Sequence, residues 1–205
     1  MNALYLFDLF GTFAFAVSGA LLGAKKDMDI YGMFVLAVSV GAGGGTMRDI
    51  MLGRTPPFVL TDINYMIVIA FAVLMVFFFN SKIFETKPML ILNIADAIGL
   101  GVFTCIGANI AIQCGVQWYG VVFFGVMTAT AGGMIRDTLA GEVPFVLKKE
   151  VYASASLAGG ILFLILIKAG LGMDANMLIT SIFVTCVRIV SIYKRWNLPR
   201  FTVKG

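Results

Sequence analysis

Seven apolar runs, each about as long as a membrane-crossing helix, dominate this sequence. They cover approximately residues 3–24, 31–53, 62–80, 89–113, 117–140, 151–168 and 175–193. An α-helix needs about 20 mostly apolar residues to cross the hydrocarbon core of a bilayer. The runs are continuous, whereas the strands of a membrane β-barrel alternate in polarity. The pattern predicts an all-α integral membrane protein with seven transmembrane helices, forming a single transmembrane domain over residues 1–205.

The composition excludes several classes of function. Of the 205 residues 60% are apolar and 13% are charged, and there is no histidine. Cys105, Cys114 and Cys186 lie in apolar runs without a CxxC spacing, so we expect neither a disulfide nor a structural metal site. The sequence shows no nucleophile–base pair, so we expect no enzyme activity and no cofactor. The net charge of +4 is scattered between the runs, which argues against a nucleic-acid partner.

The lysines and arginines predict an orientation, because cytoplasmic loops of membrane proteins are enriched in them. With the N-terminus outside, 12 of the 15 basic residues fall on the inner side: Lys25, Lys26, Lys82, Lys87, Arg136, Lys148, Lys149, Arg188, Lys194, Arg195, Arg200 and Lys204. The outer side keeps Arg48, Arg54 and Lys168. We therefore expect a cytoplasmic C-terminus, and the inner (plasma) membrane as the location if the source is prokaryotic.

The two halves of the chain are similar at an offset of 88 residues. The offset aligns Asp8 with Asp96, Gly44-Gly45 with Gly132-Gly133, and Arg48-Asp49 with Arg136-Asp137. After one residue is dropped, Pro57-Phe58-Val59-Leu60 aligns with Pro144-Phe145-Val146-Leu147. Matched Asp, Arg-Asp, double Gly and Pro indicate a duplication, with repeat 1 at about 3–80, repeat 2 at about 89–168 and an unmatched seventh helix at about 175–193.

The number of helices per repeat predicts their relative orientation. Each repeat contains three apolar runs, and three is odd, so the second copy begins on the opposite side of the membrane. Inverted repeats of this kind are typical of transport proteins, whose site lies where the repeats meet.

Glycines interrupt the second and fifth runs, three residues before each Arg-Asp pair. They are Gly43, Gly44 and Gly45 in the second run and Gly132 and Gly133 in the fifth. Consecutive glycines destabilise a helix, and a broken helix would free carbonyls for a cation. Close helix packing through small residues is the alternative. The sequence leaves both interpretations open.

Six charged residues inside the runs are candidates for an ion or substrate pathway. They are Asp8, Arg48, Asp49, Asp96, Arg136 and Asp137. Neighbouring side chains on a helix diverge, so we expect Arg48 to pair with Asp8, and Arg136 with Asp96, rather than with the adjacent aspartates. Structural salt bridges are the alternative. Small polar residues that could line the same path include Ser39, Thr46 and Thr130.

With GGGxxRD in the second run and GGxxRD in the fifth, the chain resembles the trimeric intracellular cation (TRIC) channels, especially their small prokaryotic members. The resemblance covers about residues 3–193. It implies a homotrimer with one pore per subunit, conducting potassium and other monovalent cations without a bound structural metal. It also implies that helices 2 and 5 are kinked at Gly43–Gly45 and Gly132–Gly133 and line the pore. Ala131 replaces the first glycine of the second motif.

Two functions remain compatible with these residues. The first is a passive monovalent cation channel. The second is a secondary transporter of a small zwitterion such as glycine, since related small proteins are described as glycine transporters. In the second case a half-helix N-terminus would bind the carboxylate of the solute, and Asp8 or Asp96 its ammonium group.

The predicted orientation can be tested by cysteine labelling. In a variant without the three native cysteines, Lys204→Cys should react with a membrane-impermeant thiol reagent only after the cells are permeabilised. Labelling of this cysteine from outside intact cells would contradict the orientation.

Overall fold

The computed structural model describes residues 3–78, 88–148, 151–194 and 196. The predicted end of the third span at 79–80 lies outside the described residues, as do Lys82, Lys87, Lys149, Arg195, Arg200 and Lys204. All regular elements within the described ranges are helices: α1 (Ala3–Lys25), α2 (Ile30–Gly41), α3 (Gly43–Met51), α4 (Phe58–Thr61), α5 (Ile63–Phe78), α6 (Pro88–Gln113), α7 (Trp118–Leu139), α8 (Phe145–Lys148), α9 (Ala153–Lys168) and α10 (Met173–Lys194).

Four helices, α1, α6, α7 and α10, are long and apolar enough to cross a membrane. Helices α2 and α3 pass the same test as a pair, with a bend of 43° between them. Helices α5 and α9 are shorter apolar helices of 16 residues each. The fold is therefore that of a helical membrane protein.

The two glycine motifs have different backbone structures. The second apolar run breaks at Ala42, which caps both α2 and α3. By contrast, α7 continues as one α-helix through Gly132 and Gly133. The interpretation of a broken helix at the second motif is therefore wrong. The second motif has one glycine fewer than the first, with Ala131 at the position of Gly43, and alanine favours the helix by about 1 kcal/mol over glycine.

The core joins the two halves through equivalent residues. Phe15 of α1 and Phe103 of α6, which are 88 residues apart, stack with ring centroids 5.2 Å apart and an interplanar angle of 15°. Gly99 faces the Phe15 ring, and its counterpart Gly11 faces Val102 and Phe103. Without side chains of their own, these glycines leave room for the rings at the contact between α1 and α6.

Helices α3 and α7 approach each other through the glycine motifs. A Cβ on Gly44 would overlap the Thr128 carbonyl oxygen, and a Cβ on Gly132 would lie 2.5 Å from the Val40 carbonyl oxygen. Val40 and Thr128 are themselves 88 residues apart, so the two contacts are equivalent. Gly44 and Gly132 are therefore packing glycines, as the alternative interpretation of the sequence held.

Substitution of Gly44 should consequently destabilise the folded protein. We expect Gly44→Ala to cost about 1–3 kcal/mol, the usual cost of over-packing a core, because the new methyl group meets the rigid α7 backbone. Thermal unfolding in detergent measures the effect.

Gly172→Ala is the matched control, because a Cβ at Gly172 meets nothing within 4 Å. Equal stability of both variants and the parent chain would contradict close packing at Gly44.

Candidate ion pathway

Each half buries one Arg-Asp pair in the same arrangement, which we call an Arg–Asp clasp. The first clasp consists of Arg48, Asp49 and Phe58. Arg48 donates from Nε and Nη2 to Asp49 Oδ1, at 2.9 and 2.7 Å. The backbone N–H of Phe58 donates to Asp49 Oδ2 at 3.1 Å, and the guanidinium lies 5.7 Å from the Phe58 ring centroid.

The second clasp, formed by Arg136, Asp137 and Phe145, repeats this geometry. Arg136 Nε donates to Asp137 Oδ1 at 2.8 Å, and the Phe145 N–H donates to Asp137 Oδ2 at 2.8 Å. The guanidinium lies 5.2 Å from the Phe145 ring centroid. The expectation that adjacent Arg and Asp side chains diverge is wrong in both halves, because the long arginine side chain folds back onto its neighbour.

The turn after each helix brings the phenylalanine back to the aspartate. Gly53 and Gly141, again 88 residues apart, have φ of +69° and +68°, a conformation that glycine adopts without a steric penalty. The next N–H groups close the helix end, from Arg54 to Asp49 O and from Glu142 to Asp137 O, both at 2.8 Å. The chain then returns to place the Phe58 and Phe145 N–H groups on the carboxylates.

The predicted pairing of Arg136 with Asp96 is confirmed. Arg136 Nη1 donates to Asp96 Oδ1 and to Ser18 Oγ, both at 2.8 Å. Arg136 is fully buried, and Asp96 and Asp137 are each 1% exposed. Three helices therefore meet at this guanidinium: α1 through Ser18, α6 through Asp96 and α7 through Asp137.

The predicted pairing of Arg48 with Asp8 is not found. Arg48 uses Nε and Nη2 for Asp49, and Asp8 instead accepts a hydrogen bond of 2.9 Å from the Tyr65 hydroxyl of α5. The Tyr65 hydroxyl thus binds one oxygen of a carboxylate that the sequence alone assigned to a cation.

The Asp62 carboxylate lies beside Asp8 at the same end of the bundle. Tyr5 donates to Asp62, which follows α4, and the rings of Tyr5 and Tyr65 pack edge to face at 6.1 Å. The hydrogen bond from Tyr5 is the main cause of a lowered pKa of the Asp62 carboxyl. Asp62 therefore carries its negative charge at neutral pH.

The remaining predicted site residues occupy two kinds of environment. Gly133 faces the second clasp: a Cβ there would lie 3.1 Å from the Tyr152 hydroxyl and 4.0 Å from Asp96 Oδ1. Gly43 and Gly45 pack against the Ile135 and Phe58 side chains. Ser39 and Thr130 donate to carbonyls of their own helices at 2.8 Å, and Thr46 is half-buried in α3.

Sequence reasoning missed two residues at the second clasp. Tyr152 is 1% exposed, and Arg188 of α10 lies with its guanidinium carbon 4.9 Å from the Tyr152 ring centroid. The offset of 87 that aligns Phe58 with Phe145 also aligns Tyr65 with Tyr152. That alignment could have identified Tyr152, and an ionisable residue within an apolar run could have identified Arg188.

The fold and these buried charges define an integral membrane protein in which two similar halves enclose equivalent Arg–Asp clasps. The glycine transporter family model matches one segment in each half, residues 5–81 and residues 93–168. The chain belongs to this family, which is the family of the TRIC channels.

Similar proteins cover nearly the whole chain. A UPF0126 membrane protein of Vibrio cholerae is 40% identical over 98% of this chain and 84% of its own, and the inner membrane protein YadS of Escherichia coli is 34% identical over 97% and 96%. A TRIC cation channel structure covers 100% of both chains at 35% identity with a TM-score of 0.88. The TRIC orthologue from Rhodobacter sphaeroides has the same TM-score at 34% identity, over 96% of this chain and 100% of its own.

The two clasps generate a matched stability test. Arg136→Gln should cost about 3–5 kcal/mol, the range for breaking a buried ion pair, because it removes the guanidinium that is hydrogen-bonded to both Asp96 and Asp137. Arg48→Gln should cost less, because Arg48 binds one carboxylate. Unfolding temperatures in detergent give the order.

Arg54→Gln serves as the control, since the Arg54 side chain is exposed. An Arg48→Gln variant at least as unstable as Arg136→Gln would show that the additional partners of Arg136 contribute nothing.

Proposed function

We propose that the protein is a passive channel for monovalent cations, with potassium as the main ion. The observation that carries the proposal is the match in fold and sequence to TRIC cation channels over the entire chain.

Two of the aspartates in the apolar interior, Asp8 and Asp96, supply oxygen atoms that a cation can use. Asp8 Oδ1 and Asp96 Oδ2 are buried and have no hydrogen-bond partner among the described residues. Such oxygens can replace part of the hydration shell of a permeating ion. Asp62, at the end of the bundle next to Asp8, would raise the local cation concentration at that entrance.

The architecture that we propose has seven membrane spans in two inverted repeats. The four long helices, the bent pair α2–α3 and the two 16-residue helices provide seven candidate spans. The stacked Phe15 and Phe103, and the reciprocal contacts of Gly44 and Gly132, support a two-fold axis between the halves. The bend at Ala42 supports the kink in the second span that the resemblance implies.

We further propose a homotrimer with one pore in each subunit, as the relatives named trimeric cation channels suggest. The N-terminus would lie outside and the C-terminus in the cytoplasm. The inner membrane is the proposed location, in line with the Escherichia coli relative.

The family description favours a second candidate, transport of glycine. The N-terminus of α3 would bind the carboxylate of the solute, and Asp8 or Asp96 its ammonium group. This candidate has weaker support, because the solved relatives at 34–35% identity are named as channels.

Purified protein in lipid membranes separates the two functions. A channel should give unitary currents in planar bilayers with potassium as the only permeant cation, because passive conduction needs no solute. Liposomes containing the same protein should show no saturable uptake of labelled glycine. Saturable uptake without unitary currents would contradict the channel.

A further inference from the structure

The helix without a counterpart in the repeat brings an additional positive charge to the second clasp. Arg188 of α10 is 3% exposed, donates to the Val151 carbonyl and to Ser191 Oγ at 3.3 Å, and lies over the Tyr152 ring. Its Nε has no hydrogen-bond partner among the described residues. The guanidinium also interacts electrostatically with the Asp96 carboxylate.

The equivalent tyrosine of the first half has different surroundings. The Tyr65 hydroxyl donates to Asp8, and the charged groups acting on this Tyr65–Asp8 pair are Arg48, Asp49 and Asp62. For Tyr152 the charged groups are Asp96, Arg136 and Arg188. With Asp137 included, the second cluster contains two carboxylates and two guanidinium groups, whereas the first contains three carboxylates and one guanidinium. The formal charge is therefore zero in the second cluster and −2 in the first.

Three buried polar atoms of the second cluster are unsatisfied within the part of the chain that the structure describes. Arg136 Nη2, Asp96 Oδ2 and the Tyr152 hydroxyl have no hydrogen-bond partner among the described residues, although all three are buried. A Cβ on Gly133 would lie 3.1 Å from the Tyr152 hydroxyl, 3.9 Å from Arg136 Nη2 and 4.0 Å from Asp96 Oδ1, so these groups face the position where Gly133 has no side chain. Buried polar atoms normally find a partner, so this arrangement indicates that the cluster takes up a small polar species such as water or a cation.

We propose that Arg188 determines how strongly the second cluster attracts permeating cations. The inference rests on the channel function proposed above. A charge in the low-dielectric interior acts strongly on its neighbours, so Arg188 offsets one carboxylate and prevents a cation from being held too tightly there. Conduction requires binding that is favourable enough for entry and weak enough for exit.

The conductance of single channels as a function of potassium concentration tests this role. In Arg188→Gln the cluster becomes net negative, and the half-saturating potassium concentration should fall by about three- to tenfold. Arg188→Lys retains the charge and should restore the wild-type value. Lys168→Gln removes one positive charge at the exposed end of α9 and should leave the half-saturating concentration unchanged, because salt screens exposed charges.

Asp96 provides the second arm of the test. Asp96→Asn should raise the half-saturating concentration, because the cluster becomes net positive. The double variant Asp96→Asn/Arg188→Gln should return it toward the wild-type value, since the formal charge is again zero. The comparison of the double variant with Asp96→Asn remains decisive even if Arg188→Gln alone does not fold.

Two results would overturn the proposal. One is an unchanged half-saturating concentration in Arg188→Gln. The other is a loss of folded protein in Arg188→Gln and Arg188→Lys alike, with no opposite shift between Asp96→Asn and the double variant, which would show a structural role. Wild-type protein without any potassium current would instead contradict the channel function, and with it the role of Arg188.

Discussion

Burial of two Arg–Asp clasps inside an apolar bundle is the constraint on which the rest of the structure depends. An unpaired charge at membrane depth is costly, so each guanidinium must be surrounded by acceptors before its helix can be placed. Asp49 and Asp137 supply acceptors from the same helix, and the backbone N–H groups of Phe58 and Phe145 complete the carboxylates. The helix end, the glycine turn and the returning chain are thereby fixed together in each half.

The close contacts at the glycines then bring the two halves together. Gly44 and Gly132 allow α3 and the end of α2 to approach the α7 backbone, and Phe15 stacks on Phe103 at the contact of α1 with α6. Helices pack closely in a membrane through small residues, because lipid provides no hydrophobic driving force for their association. Equivalent residues of the two halves meet each other at these contacts, so the same contact pattern is used twice.

The halves are similar but differ at the site. Arg136 connects α1, α6 and α7, whereas Arg48 binds Asp49. Tyr152 lies beneath Arg188 of α10, whereas Tyr65, the counterpart of Tyr152, binds Asp8. This difference gives the two clusters unequal formal charge. A path that passes both would therefore present a cation with two different electrostatic environments.

The apolar runs predicted most helices well, because membrane helices depend on length and hydrophobicity that can be counted. The predicted span 89–113 corresponds to Pro88–Gln113, and 117–140 to Trp118–Leu139. The pairing of Arg136 with Asp96 was also predictable from the repeat. The partner of Asp8 was not, because it depends on how Tyr65 of α5 is rotated. Similarly, the difference between Gly43 and Ala131 was not enough to predict that α7 is continuous at the second motif, whereas the helix breaks at the first.

Measurement of the reversal potential in asymmetric potassium chloride shows whether carboxylates in the membrane interior select cations. We expect a value near the potassium equilibrium potential for the wild type. For Asp8→Asn we expect a shift toward zero. A wild-type reversal potential near zero or near the chloride equilibrium potential would contradict selection of cations by these carboxylates.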